Sequence, residues 1–303
     1  MDLPYALHAR HTVLDAVQAS PRRLTAGGVR LIVAPLFVEG AWAMSPAAAR
    51  SAYEATYVDL VSVIGRLPTR VALSFEGADG FADDPAALDA WMARGACLVG
   101  LVHDHANALG GSSQDPDPNG RARGLSDAGK SLAARVVAHG GLLDVAHASD
   151  ATFDDLAAIA RAAHGPLVDS HTGVRALRDT MRNLDDARLR VVAETDGVVG
   201  ISLHGGHVGH TPGESPTLSD VAAHVAHAVS VAGPSHVAVG SDLDGGIDSP
   251  SDARADGEAV WPLLRKELLG RGLSPANIDA IFGANAARVL GWPHAHGCTP
   301  GAR

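Results

Sequence analysis

Short apolar, β-branched runs alternate with longer amphipathic ones from about residue 29 almost to the end of the chain, and this alternation constrains the fold more than any other feature. The strand-like runs are Val29–Phe37, Thr69–Phe75, Cys97–Val102, Gly141–Ala146, Pro166–Ser170, Gly197–Leu203 and His236–Gly240. Helix-like stretches fall between them at Ser126–His139, Ser149–Ala163, Asp185–Thr195 and Ser219–Ala232, and two more, Gly257–Leu269 and Ser274–Leu290, follow the last strand. Near-continuous apolar strands separated by helices indicate a parallel sheet covered on both faces. With 303 residues and no Pro/Ser linker, the chain is expected to form one α/β domain, a TIM-type (β/α)₈ barrel over 1–292, with a disordered tail over 293–303. Seven strands are visible where a closed barrel needs eight. The first helix, Ala6–Val17, has no strand before it, so the missing strand is expected upstream of Met1.

Composition narrows the function. A net charge of −10, from 24 basic and 34 acidic residues, excludes a nucleic-acid footprint. No apolar run approaches the roughly 20 residues that span a bilayer. Two cysteines, Cys97 and Cys298, are too few for a disulfide framework, and Met1-Asp2-Leu3-Pro4 lacks the look of a signal peptide, so a cytoplasmic location is expected. The polar stretch Gly110–Gly120 is the longest break and reads as an active-site loop or lid.

Active sites of this architecture are built where strands stop, at the C-terminal face. The residues at those ends are Glu76, His103, His147, His171 and Asp242, with His204 a weaker member. Packing alone does not end strand after strand in a histidine or a carboxylate. Such ligands without thiolates suit zinc or a similar divalent ion. Each position has a plainer alternative. His147 could be a core histidine, Glu76 a salt-bridged loop residue with Glu39 as its rival, and Asp242 and Asp244 turn residues. His224 and His227, three apart within a helix, read as structural; His8 and His11 read as packing or solvent-facing, and His294 and His296 belong to the tail. Only two lysines occur, Lys130 and Lys266, both in helices, so a carboxylated lysine cannot bridge two metals and a carboxylate such as Glu76 would have to.

The ordered segments Leu3-Pro4, Gly27-Gly28-Val29, Glu76-Gly77, Gly124-Leu125-Ser126, Leu143 to Ser149, Ser170-His171, Arg182-Asn183, Val231-Ala232-Gly233, Gly240 to Gly245 and Gly283-Ala284-Asn285 resemble the membrane (renal-type) dipeptidases of the amidohydrolase superfamily. The similarity runs from Asp2 to about Trp292. It implies a zinc-dependent dipeptidase with two zinc ions, usually a homodimer, in which a metal-activated hydroxide attacks the peptide carbonyl of a small dipeptide. By the same resemblance Glu76 would bridge the metals, His147 and His171 would hold one zinc, and Asp2 would help to hold the other. Asp242 would transfer the proton, His103 would stabilise the tetrahedral intermediate and Arg182 would bind the substrate carboxylate, with Arg175 and Arg178 as nearby alternatives. The family's first ligand motif is His-x-Asp, and only Asp2 of it is present, so Met1 is expected to stand in for the residue between the two. Another amide or lactam hydrolase on the same site, a short form with little activity, and a non-catalytic scaffold are the competing readings.

Overall fold

The computed structural model describes residues 1–210, 215–248, 250 and 260–291. The tail with His294, His296 and Cys298, and the part of the expected Gly257–Leu269 helix before Val260, lie outside the described residues.

Among the described residues, seven parallel strands form one sheet in chain order. They are β1 (Leu31–Leu36), β2 (Arg70–Glu76), β3 (Ala96–Gly100), β4 (Leu142–Asp144), β5 (Leu167–Thr172), β6 (Val198–Ile201) and β7 (Val237–Val239). Each strand falls within, or within a residue or two of, the run expected for it. The helices Asp127–Ala138, Asp150–Ala162, Asp186–Glu194 and Leu218–Ala232 likewise occupy the stretches that read as helical. Ser126, Ser149, Asp185 and Thr217 start them by accepting a backbone N–H from the first turn, which satisfies one of the four donors a helix start leaves open.

Two expectations need correction. The first helix runs only over Leu3–His8, after which the chain enters turns, and His11 takes a left-handed backbone at φ 49°. The single helix expected over Ser274–Leu290 is broken into Pro275–Asp279, Ala280–Ala284 and Asn285–Val289, with a kink at Gly283, whose backbone is extended at φ 178°. A further helix, Pro46–Ile64, was not singled out in the sequence.

The seven strands belong to the expected barrel architecture. At its open seam the Met1 amine donates to Val33 O of β1 (3.1 Å), while Asp2 N–H donates to Leu243 O in the loop after β7 (2.7 Å). The first two residues thus sit between the two edges of the sheet. A large core fills the space between sheet and helices, and a smaller one, with Ala72, Leu98, Leu142, Val168, Val198 and Ala238, fills the lumen. Val289, at the end of the helix Asn285–Val289, and Leu290 just after it pack onto the lumen core. Among the described residues, no helix is long and apolar enough to cross a membrane.

Candidate metal centre and active-site mouth

Strand alternation sets the direction of Glu76. Residues two apart share a face, so Ala72 in the lumen core is followed by Ser74 and Glu76 toward the mouth, while Phe75 turns outward. Phe75 there meets Tyr53, Phe81 and Trp91 at ring centroids of 5.1, 5.1 and 5.3 Å. In a chain with only 12 aromatic residues, four of them gather behind the strand that carries Glu76. Tyr53 adds a hydrogen bond from its hydroxyl to Gly77 O at 2.9 Å, which fixes the turn after Glu76.

His171 needs a different device. Val168 faces the lumen, so strict alternation would send His171 away from it. Between Asp169 and Thr172 β5 carries one residue more than β6 opposite it. Such a bulge re-aims the following side chain. His147 is turned inward by its own backbone, a left-handed φ of 63°. That conformation is held by two donors to its carbonyl, Ser113 N–H (2.8 Å) and Ser113 hydroxyl (3.1 Å). The Gly110–Gly120 stretch is therefore pinned to the segment after β4, with Ser112 fully buried, and is not a free lid.

These devices bring four side chains together. Glu76 Oε1 lies 2.9 Å from His147 Nε2, 3.2 Å from His171 Nε2 and 3.8 Å from His103 Nε2. The Nε2 atoms of His147 and His171 are 3.0 Å apart. Glu76, His103 and His147 can each offer one ligand atom within 4.8 Å of the others, a cluster able to hold a metal ion. Asp2 reaches the same centre from the seam. It is 5% exposed and its Oδ1 has no hydrogen-bond partner among the described residues. Burial, then Glu76, raises its carboxyl well above the usual range.

The electrostatics ask for positive charge at this point. Burial works against an ionised Glu76, yet His171 and His147 hold it well below the usual carboxylate range. Burial likewise works against a charged His171, but Asp242 and then Glu76 lift it to about 9. A proton on His171 thus takes the place that a cation would fill among the three acids. His103 behaves differently, because burial, followed by His147, lowers it to about 3. Both influences favour the neutral imidazole.

The remaining candidates separate cleanly. Asp242 has a left-handed backbone (φ 57°) and acts electrostatically on Asp2, His171 and His204. Asp244, two residues on, instead accepts the backbone N–H groups of Gln18 (2.6 Å) and Ala19 (2.9 Å), which makes it a structural anchor. Arg182 is buried, donates to His171 O (2.7 Å) and keeps an unpartnered Nε among the described residues. Its two alternatives are engaged elsewhere: Arg175 pairs with Asp150 (2.9 Å), and Arg178 donates to Gly206 O and Gly209 O. Glu39 accepts from the Tyr5 hydroxyl at 3.0 Å, outside the cluster. His224 Nδ1 accepts Val174 N–H (2.8 Å), His227 pairs with Asp186 (2.7 Å) and His8 with Asp59 (2.6 Å), so all three have structural partners.

Sequence reasoning missed Asp104 and His207. Asp104 is half-exposed beside the Nδ1 atoms of His103 and His147. Burial opposes its ionisation, but His147 and His103 bring it down to about 2. His207 is buried, with ring centroids 6.1 Å from His171 and 4.7 Å from His204. It stands three residues after His204, a spacing that could have drawn attention to it.

A sequence profile of the membrane dipeptidases, peptidase family M19, matches residues 59–295. The chain belongs to this family. Among curated relatives of this membrane dipeptidase family member, dipeptidase aclJ of Aspergillus oryzae is 31% identical over 226 residues, covering 74% of this chain and 52% of that protein. Dipeptidase verJ of Clonostachys rogersoniana is 32% identical over 227 residues, covering 75% of this chain and 55% of that protein. The chain thus spans about half the length of these two relatives. Among solved structures, the probable dipeptidase PvdM of Pseudomonas aeruginosa superposes with a TM-score of 0.78 at 20% identity, over 92% of each chain. A metallopeptidase of Rhodobacter sphaeroides, liganded with a phosphinate mimic of L-Ala-D-Ala, gives 0.75 at 21% identity over 96% of each. At these identities the structural likeness shows the fold.

Proposed function

We propose that this chain is a zinc-dependent dipeptidase that hydrolyses the peptide bond of small dipeptides. The observation that carries the reading is the convergence of two imidazole Nε2 atoms and one carboxylate oxygen within 3.2 Å of one another. The donors fit a divalent cation. Nitrogen and oxygen ligands without sulfur suit zinc, and the buried, unpartnered Oδ1 of Asp2 is a further donor in need of a cation. In this reading Glu76, His147 and His171 hold metal, and Asp2 contributes to a second position. A bound zinc would supply a water of lowered pKa and polarise the substrate carbonyl.

The chain's own groups supply the rest. His103, kept neutral, can donate a hydrogen bond to the oxygen that gains charge as the carbonyl becomes tetrahedral. Asp242 accepts the proton of the attacking water and passes it to the leaving amine. Arg182 takes the carboxylate of the dipeptide, for which a planar guanidinium is well shaped. The dipeptide mimic bound by the Rhodobacter protein and the names of the fungal relatives support a dipeptide substrate.

The deciding experiment is zinc per chain, by metal analysis, together with turnover of a panel of simple dipeptides. His147→Ala should remove activity and lower bound zinc. Unchanged zinc in that variant rejects His147 as a ligand, and a wild-type chain that binds zinc but cleaves no dipeptide rejects the substrate assignment. The homodimer implied by the family resemblance is checked by light scattering on the purified chain.

A further inference from the structure

A pocket beside the metal centre has no part in the reading above. Glu76 and His103 form its inner edge, and it reaches outward to Trp42 and His105. Two ring pairs frame it. Phe37 lies against His103 at a centroid distance of 4.3 Å, tilted by 39°, and Trp42 lies against His105 at 4.2 Å, tilted by 33°. Each pair joins a ring from the segment after β1 to one from the segment after β3, so the pocket exists only where these two loops meet.

The inner and outer walls differ. Phe37 is backed by the Tyr5 ring at 5.2 Å. Trp42 stands on the short turn Ala41–Ala43, which follows a left-handed Gly40 (φ 73°), and it remains 52% exposed. Concave sites for small molecules are lined mainly by apolar and aromatic side chains with a few polar groups, and this lining fits that description. A ligand that enters takes the exposed indole out of water.

We propose that this pocket receives the side chain of the first residue of the dipeptide and that Trp42 makes it select an aromatic one. The direction of the substrate rests on the dipeptidase reading. Arg182 donates to His171 O of β5, so a substrate carboxylate held by Arg182 lies on the β5 side of the centre. The residue on the other side of the scissile bond then points toward β1 and β3, where the pocket opens. A flat ring there meets Phe37 and Trp42 in the offset or edge contacts that aromatic rings prefer. Apart from Glu76, the acid in the lining is Asp79, which makes a basic side chain the rival occupant. Two ring pairs against one carboxylate favour the aromatic.

The test measures kcat/KM for Phe-Ala, Lys-Ala and Gly-Ala in zinc-loaded wild type, Trp42→Ala and Trp42→Phe. The wild type should prefer Phe-Ala to Gly-Ala about 10- to 100-fold, with most of the difference in KM. Trp42→Ala should lower that ratio roughly 10-fold, and Trp42→Phe should keep most of it. In chelator-treated full chain, where nothing is turned over, the indole N–H signal that Trp42→Phe removes should shift with Phe-Ala and stay in place with Gly-Ala. Equal kcat/KM for Phe-Ala and Gly-Ala would overturn the proposal, as would a preference for Lys-Ala that survives in Trp42→Ala. A wild type that cleaves none of the three would sink the dipeptidase reading instead, while the indole signal still decides whether the pocket takes an aromatic side chain.

Discussion

At the scale of single residues, the mouth is built from positions that depart from ordinary backbone. His147 and Asp242 both have positive φ, a conformation that costs an L-residue energy and persists only where the surroundings hold it. Asp244 (φ 71°) shows what such holding requires, since its two oxygens take two backbone N–H groups from the segment after the first helix. Arg182 is the residue whose role is most open to test. It faces the buried Asp169, which burial raises to about 6 despite Arg182 beside it. A purely structural arginine and a substrate-binding one therefore predict different kinetics. If it binds the substrate carboxylate, Arg182→Ala should raise KM about 10- to 100-fold, the equivalent of one charge-assisted hydrogen bond of roughly 1.5–3 kcal/mol, with a smaller fall in kcat. Steady-state kinetics check this, and a loss of thermal stability with KM unchanged would leave only the structural role.

At the scale of elements, the helix Leu218–Ala232 is docked onto the loop after β5 through His224. Its Nδ1 accepts Val174 N–H, which requires an unprotonated ring nitrogen. Burial lowers His224 to about 4, against about 6.5 in an unfolded chain. Between these values the unfolded chain binds the extra proton, so stability falls as pH drops from about 6.5 to about 4 and is retained above. The shift corresponds to about 3 kcal/mol. His224→Gln, which keeps an acceptor but cannot titrate, should flatten that part of the curve. Urea midpoints measured for both proteins from pH 4 to 7 decide it, since parallel curves would mean that His224 does not titrate as stated. The aromatic group behind β2 acts at the same scale, with each of its ring contacts adding about 0.5–1.5 kcal/mol beyond burial to the strand that ends in Glu76.

At the scale of the whole molecule, three buried or half-buried acids, Asp2, Glu76 and Asp242, meet at the mouth of a sheet whose two edges are joined by Met1 and Asp2. A cation that binds there ties the seam, β2, β4 and β5 to one point. Because the unfolded chain lacks that point, zinc at 100 times its dissociation constant should stabilise the fold by about 2.7 kcal/mol, a rise in Tm on the order of 5 °C. Calorimetry with added zinc, and then with a chelator, checks this. A Tm that does not respond to either would count against a metal centre formed by these residues.

The sequence by itself determined the strand and helix alternation and the polar residues that follow the strands. Each of these follows from local periodicity or from a polar residue placed directly after an apolar run. It left open which member of each rival pair belongs to the mouth: Glu76 or Glu39, Asp242 or Asp244, Arg182 or Arg175. The tertiary structure places Glu76, Asp242 and Arg182 at the mouth. Tyr5 engages Glu39, the Gln18–Ala19 backbone engages Asp244, and Asp150 engages Arg175. The inward turn of His171 depends on one extra residue in β5 relative to β6, and a bulge exists only once two strands are paired. Asp104 reads in the sequence as one more solvated acid, because what distinguishes it is the approach of His147 from another strand. Spacing along a chain encodes which residues share a face; which partners they meet across the barrel is a property of the closed packing alone.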